Sequence, residues 1–131
     1  MANGGPLRTL VAIGSTTAPC AVGTPAAPTT TVFVLPVREP AVLGRLFLNS
    51  DSLVIAPSTI PVSTLETLQV SNLVHNNISY CTGQTPATTY ASNAIGSPRF
   101  GIPVSVNDQL QVEIQNVGIA TLGTQVAFSV L

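Results

Sequence analysis

The last third of the chain alternates apolar and polar residues with the period of a β-strand. Leu110, Val112 and Ile114 are separated by glutamines and by Glu113. A period of two gives a strand one face for the core and one face for solvent or a partner. The turn sequences VND and NVG stand before and after this strand, and turn residues of these types end strands. The pattern predicts three strands over 99–131.

Shorter apolar runs predict further strands along the chain. These runs cover 7–13, 31–37, 45–48, 53–56, 65–74 and 78–81. The strand over 31–37 is apolar on both faces, which is typical of a central strand or of one buried at an interface. The strands over 45–48 and 53–56 are close enough in sequence to form a hairpin, although a single helical turn within 41–49 is an alternative.

Two segments show neither the helix period nor the strand period. They are residues 14–31 and residues 82–98, both rich in Ala, Pro, Thr, Ser and Gly. This composition is typical of extended arms and long loops. About eight to nine short strands with such connections are typical of a sandwich or a barrel. The sequence therefore predicts an all-β, single-domain antiparallel β-sandwich over 31–131, preceded by an extended N-terminal arm over 1–30.

Charged residues are scarce in this chain. Its 131 residues include four basic and five acidic residues, so 7% are charged while 45% are hydrophobic. Soluble domains normally carry about a quarter charged residues. The length supports one domain with a substantial core. A surface so poor in charge suits burial against other protein subunits better than free diffusion.

Charge and hydropathy also bear on the kind of partner. The net charge is −1 and the arginines stand one by one, so there is no basic stripe for phosphates and nucleic acid is not expected as the main partner. No run reaches the roughly 18 apolar residues of a membrane span. The apolar run over 9–13 is too short and too interrupted for a signal peptide. We therefore expect synthesis in the cytoplasm without a signal peptide.

No set of residues predicts a catalytic or metal site. His75 is the single histidine, whereas a catalytic base needs a nucleophile and an orienting carboxylate beside it. The acidic residues stand far apart and mostly at turns, where their side chains bond local backbone. Cys20 and Cys81 lack metal-ligand spacing, and we interpret them as free thiols, with a disulfide as the alternative. We expect no enzyme activity, no catalytic, cofactor-binding or metal-binding residue, and no cofactor.

The arginines are the most informative charges. On a charge-poor surface an arginine pairs with an acid, on its own chain or on a neighbouring one, or with backbone carbonyls. The obvious local pairs are Arg38 with Glu39 and Arg45 with Asp51. Tyrosines next to the 82–98 loop are further candidates. The candidate partner contacts are Arg8, Arg38, Arg45, Tyr80, Tyr90 and Arg99.

The end of the chain resembles a family of viral proteins. The loop sequence TGQTPATTYASNAIGSP leads into RFGIPVSVNDQLQVEIQNVG, which is a polar turn, an alternating strand and an Asn-x-Gly turn before the final strand. Over residues 45–131 this architecture resembles small jelly-roll proteins of virus particles, namely phage capsid decoration (cement) proteins and single jelly-roll coat proteins. The resemblance implies a sandwich of jelly-roll type, homo-oligomers such as trimers, contacts with other capsid proteins, and no catalytic residues.

The resulting hypothesis is a structural virion protein that is made in the host cytoplasm and stabilises a bacteriophage capsid, as a decoration protein or a small coat subunit. In such proteins an arm that reaches onto neighbouring subunits is common. The alternative is a carbohydrate-binding or adhesin-like sandwich, in which Tyr80 and Tyr90 would stack on sugars of a glycan. That alternative is weakened by composition, because the chain has no Trp.

Overall fold

The computed structural model describes residues 13–50, 53–54, 61–62, 65–80, 84–91, 94–118 and 122–131. Within these residues the chain forms strands and two short 3-10 helices, with no α-helix. The strands are β1 (Thr16–Cys20), β2 (Thr29–Leu35), β3 (Ala41–Ser50), β4 (Leu53–Val54), β5 (Pro61–Val62), β6 (Leu68–His75), β7 (Ile78–Ser79), β8 (Thr85–Pro86), β9 (Pro103–Val104), β10 (Leu110–Asn116) and β11 (Leu122–Val130). The 3-10 helices are Leu65–Thr67 and Ala87–Tyr90.

Two antiparallel sheets pack together over a shared apolar core. The four-stranded sheet has the order β1-β11-β3-β9, and the five-stranded sheet has the order β2-β10-β6-β7, with β8 also paired to β6. β4 and β5 form a separate two-stranded unit. Four of the pairings are nested, since β1 pairs with β11, β2 with β10, β3 with β9 and β6 with β7, while β3 also pairs with β11 and β6 with β10. The prediction of an all-β antiparallel sandwich is confirmed.

β10 is an inner strand of the five-stranded sheet and lies between β2 and β6. Leu110, Val112 and Ile114 are fully buried, while the polar residues between them lie on the outer face. The predicted alternation is confirmed. The three closing strands are nevertheless divided between the sheets, because β9 and β11 belong to the four-stranded sheet. A period of two specifies which face of a strand is dry, but not which sheet the strand joins.

β3 is one long strand through the middle of the four-stranded sheet. It pairs with β11 along one edge and with β9 on the other, whereas β4 pairs with β5. The predicted hairpin between 45–48 and 53–56 is therefore wrong, and the alternative of a helical turn is wrong as well. Leu46 and Leu48 alternate into the core. Long-range pairing with β11 thus decides the conformation here, and sequence proximity to β4 does not.

β2 lies at the edge of the five-stranded sheet. Its inward residues Phe33 and Leu35 are buried, whereas Val32 and Val34 are 49% and 57% exposed. The interpretation of this segment as a central strand is therefore wrong, while burial at an interface stays a prediction. β-Branched and aromatic residues favour a strand at the edge as much as in the middle.

The segment before β2 contains a strand that the sequence did not predict. β1 lies within residues 1–30, the predicted arm, and pairs along its whole length with β11. Cys20 at its end is a free thiol with no exposed surface, and burial raises its pKa. This part of the chain is therefore integral to the sandwich. Of the predicted strand over 7–13 only Ile13 lies among the described residues, where it pairs with Val37.

The chain near β1 also covers the outer edge of β2. The Gly14 N–H donates to the Pro36 carbonyl over 2.8 Å, and the Thr16 hydroxyl donates to the Val34 carbonyl over 2.7 Å. These groups on β2 would otherwise be open at the sheet edge. The two sheets are therefore joined by hydrogen bonds along this side of the sandwich.

Proline occurs on both edges of the four-stranded sheet. Pro19 lies in β1 and Pro103 lies in β9. Proline has no N–H to donate, so it is confined to edge strands and bulges. Both residues therefore lie on edge strands of this sheet, where the missing N–H does not interrupt the hydrogen bonds between its central strands.

A buried amide connects the two sheets where β10 ends. Asn116 has no exposed surface. Its Nδ2 donates to the Cys20 carbonyl over 3.1 Å, and its Oδ1 accepts from the Gly118 N–H over 2.8 Å. Gly118 is required by close packing, because a Cβ there would lie 2.6 Å from the Cβ of Thr67. The predicted Asn-Val-Gly turn is thus held from inside by its first residue.

Replacing Asn116 with Ala should destabilise the fold. The change removes both side-chain hydrogen bonds in a dry environment, so the free energy of unfolding should fall by about 1–3 kcal/mol. The free energy of unfolding is measured by denaturant titration monitored by circular dichroism. Gln125→Ala, at an exposed position of β11, is the control and should change the free energy by less than about 0.5 kcal/mol. An Asn116→Ala value as small as the control would contradict the assignment.

Candidate functional site

The outer face of the five-stranded sheet is a regular grid of side chains. β10 provides its middle column, and β2 and β6 provide the columns on either side. The rows set by the strand register are Val34–Gln111–Val74, Val32–Glu113–Asn72 and Thr30–Gln115–Gln69. We call these residues the amide face. Side chains at such directly opposite positions of neighbouring strands are in contact distance of one another.

Hydrogen bonds hold several side chains of the amide face in place. The Gln84 amide donates to Gln115 Oε1 over 2.7 Å, and Gln115 Nε2 donates to the Thr30 hydroxyl over 3.4 Å. The Ser79 hydroxyl donates to Asn72 Oδ1. Side chains already ordered in this way lose less conformational entropy when a partner binds.

The amide face is nearly free of charge. Glu113 is its one charged residue, and within the described ranges it makes no ion pair. The face gains apolar surface at its edge from Val32 and Val34, each about half exposed. Interfaces are depleted of charged residues in their core. The arrangement therefore has the chemistry of a surface that can be buried against protein.

The outer face of the four-stranded sheet has a different character. Arg45 and Arg99 are directly opposite one another in an antiparallel bridge, so both project from the same face of the sheet. The next residue after Arg99 is Phe100, which points inward and packs edge-to-face on Phe128, with 6.2 Å between ring centroids. We call the outward residues Arg45, Phe47, Asn49, Arg99, Gln125 and Ala127 the arginine face.

Within the described residues, the guanidinium of Arg45 is fixed by neutral groups and makes no contact with an acid. Its Nη2 donates to the Ala94 carbonyl and to the Ser97 hydroxyl, each over 3.0 Å. Its Cζ lies 5.2 Å from the centroid of the Phe47 ring, a cation–π contact. Its Nε is buried and has no hydrogen-bond partner in the part of the chain that the structure describes. Arg45 thus presents a positioned positive charge beside the exposed Arg99.

An open depression of about 430 Å³ lies at the end of the arginine face near β1. Hydroxyl, amide and backbone groups line it, from Thr17, Asn49, Ser50, Gly123 and Gln125. None of these side chains titrates near neutral pH. The described residues that line the depression can therefore hydrogen-bond a polar ligand, and none of them is an acid or a base.

His75 forms a side-chain hydrogen bond that connects two turns. His75 ends β6 and is 9% exposed, and its Nε2 lies 2.8 Å from Asp108 Oδ2 in the turn before β10. The Ser105 N–H donates to the same carboxylate oxygen over 2.8 Å. The hydrogen bond from His75, followed by that from Ser105, lowers the pKa of Asp108 to about 2. Asn76 and Asn107 in these turns have positive φ, which is uncommon for residues other than glycine. The contact between His75 and Asp108 therefore joins two turns whose backbone has an uncommon conformation.

The candidate contacts named from the sequence lie in different places. Arg8 lies outside the described residues, and Arg38 is exposed near Gly14 and makes no ion pair with a described residue. Tyr80 is 42% exposed beside His75. Tyr90 is only 3% exposed and belongs to the core, so its ring is not placed to contact a partner.

Arg45 and Arg99 are the two candidates that the fold brings together. Their proximity depends on pairing between distant segments, and no local signal in the sequence indicates it. The sequence does indicate that Arg45 and Phe47 share one face of a strand, because Arg45, Phe47 and Asn49 alternate with leucines. Asp51, the expected partner of Arg45, lies outside the described residues.

Comparisons of the chain with protein-family models, with curated proteins and with solved structures found no match. The described residues include no cluster of three or more His, Cys, Asp or Glu side chains that would hold a metal ion. They also form no helix with the length and hydropathy of a membrane span. The two sheet faces are the features from which function can be argued.

Replacing Asp108 with Asn should destabilise the fold in a pH-dependent way. The pKa of this carboxyl is about 2 in the folded protein and about 3.9 in an unfolded chain. Its contribution is therefore complete above about pH 4 and is lost as the pH falls from about 4 to 2. Free energies of unfolding from pH 7 to pH 2 should show wild type and variant converging at the acid end.

The same variant in a His75→Asn background provides the control. His75 is the main cause of the lowered pKa, so the penalty of Asp108→Asn should be smaller in that background. A penalty that stays constant down to pH 2 would contradict the role given to the hydrogen bond between His75 and Asp108.

Proposed function

We propose that the chain is a structural virion protein, a capsid decoration (cement) protein or small coat subunit, that stabilises a particle by packing its sheet faces against other subunits. The observation that carries this proposal is the amide face, where the exposed Val32 and Val34 adjoin uncharged amides and one acid. Burying such a face removes apolar surface from water and desolvates a single charge.

The strand order supports a jelly-roll form of the sandwich. A long hairpin that rolls up pairs its first strand with its last, its second with the one before the last, and so on inward. The nested pairs β1–β11, β2–β10, β3–β9 and β6–β7 follow that rule. β1 also follows this rule. The order of the strands before residue 45 therefore fits the same jelly-roll form that the sequence resemblance implies over 45–131.

The size of the amide face indicates how it would be used. Strands about 4.8 Å apart and alternate residues about 6.8 Å apart give the grid roughly 300 Å² with its side chains. A stable interface covers about 800 Å² on each partner. The amide face would therefore form the centre of an interface, and loops around it would form the rim. On a particle, repeated weak contacts add through multivalency.

A carbohydrate-binding module is the second candidate function. The observation in its favour is the depression lined by Thr17, Asn49, Ser50 and Gln125, whose hydroxyls and amides suit sugar hydroxyls. Tyr80 is exposed but lies beside His75, and none of the described residues that line the depression is aromatic. Glycan binding that persists in an assembly-defective variant would favour this candidate.

The double variant Val32→Lys and Val34→Lys should lose self-association. Both side chains are about half exposed, so the fold tolerates the change, whereas burying two ammonium groups at an interface opposes assembly. We expect wild type to form oligomers and the dissociation constant of the variant to rise at least about 100-fold, or about 2.7 kcal/mol. Light scattering after size-exclusion chromatography measures the oligomers and the dissociation constant, and thermal unfolding checks that the variant is folded.

Val106→Lys is the matched control, because Val106 is 47% exposed in a turn outside the amide face. It should assemble like wild type. A wild-type chain that stays monomeric at millimolar concentration would contradict the proposal.

The virion role itself is tested by an antibody against the chain. The antibody should label intact particles in electron microscopy, and labelling confined to particle-free fractions would exclude the role.

A further inference from the structure

We propose that copies of this chain join head to tail, with the amide face of one copy on the arginine face of the next and Glu113 between Arg45 and Arg99. The inference rests on the proposed function, since it takes assembly through the amide face as given. It adds that the partner is a second copy, and it names the surface of that copy that is bound.

Charge complementarity between the two faces carries the inference. Among the described residues, the amide face has Glu113 and no basic residue, and the arginine face has Arg45 and Arg99 and no acidic residue. The other described charges lie away from both faces, with Arg38 and Glu39 after β2, Glu66 in the first 3-10 helix and Asp108 bound to His75. In a chain with so few charges, these two faces decide which surfaces attract one another.

Contacts between two like faces are unfavourable. Two amide faces would bring a pair of Glu113 carboxylates towards each other, and two arginine faces would bring four guanidinium groups together. Like charges placed opposite one another at an interface cost several kcal/mol in general. Head-to-tail contact replaces this repulsion with a carboxylate between two guanidiniums, which bind carboxylates through paired hydrogen bonds.

The Arg45 guanidinium and the backbone at Glu113 are positioned before the contact forms. Arg45 is held by the Ala94 carbonyl, the Ser97 hydroxyl and the Phe47 ring. Glu113 lies at a register shift between β10 and β6, where the Ser71 hydroxyl donates to its backbone carbonyl over 3.2 Å. Preorganised groups need less ordering when copies associate.

The two faces lie on opposite sides of one sandwich, which limits the assemblies they can form. A head-to-tail contact uses two different surfaces and leaves one of each unoccupied at the ends of a row. With faces on opposite sides, successive copies stack in a row, which stays open or closes only after many copies. This geometry differs from a compact trimer around a symmetry axis.

Charge reversal tests the contact. Glu113→Arg and Arg99→Glu each reverse one side of it, and each should weaken self-association at least about 100-fold in sedimentation equilibrium at low salt. Both side chains project from outer faces, so the melting temperatures should match wild type. Glu66→Arg and Arg38→Glu are the matched controls at exposed positions off both faces, and each should stay within about fivefold of wild type.

Recombining the reversals gives the decisive result. An equal mixture of the two single variants should recover association in pairs, because the unchanged amide face of Arg99→Glu meets the unchanged arginine face of Glu113→Arg. The two changes on one chain should recover part of it, because the introduced arginine then meets the introduced glutamate while Arg45 stays in place. Single variants that associate like wild type, or a double variant and mixture that do not recover, would overturn head-to-tail assembly while leaving the proposed function intact. A wild-type chain that does not associate at all would overturn both.

Discussion

The apolar layer between the two sheets is the interaction on which the rest of this structure depends. Phe33, Leu46, Leu73 and other large side chains have no exposed surface, and together they form one core cluster between the sheets. Aliphatic side chains dominate this layer, so shape and volume hold the sheets in register more than polar contacts do. With the apolar residues of each strand committed inward, the outward positions are left to amides, hydroxyls and a few charges. The polar character of both outer faces follows from this division.

The strands that could be predicted are those whose alternation is visible locally. The inward series in β10 and the strand character of residues 31–37 are both present in the structure. Pairing was not predictable in the same way, because hydrogen bonds between strands join positions far apart in the chain. β1 has weak strand character and contains Pro19, yet its pairing with β11 and the burial of Cys20 make it part of the sheet.

The candidate site was predictable to a similar degree. Alternation alone placed Glu113 and its neighbouring glutamines on one outer face, and the structure adds the columns from β2 and β6. The proximity of Arg45 to Arg99 needed the fold, since it arises from a bridge between segments that are distant in sequence. Tyr90 shows the opposite error. A tyrosine in a loop rich in small polar residues looks exposed, but a 3-10 helix turns this one into the core.

The prolines and hydrogen bonds that protect the sheet edges affect how the chain behaves at high concentration. An unpaired strand edge is a template for cross-β growth, in which further chains add as new strands and form amyloid-like fibrils. Here Pro19 and Pro103 interrupt the edges of one sheet, and Gly14 and Thr16 occupy carbonyls on the open side of β2. A chain with so little net charge has weak electrostatic protection against such growth. Its covered and proline-containing strand edges protect it instead.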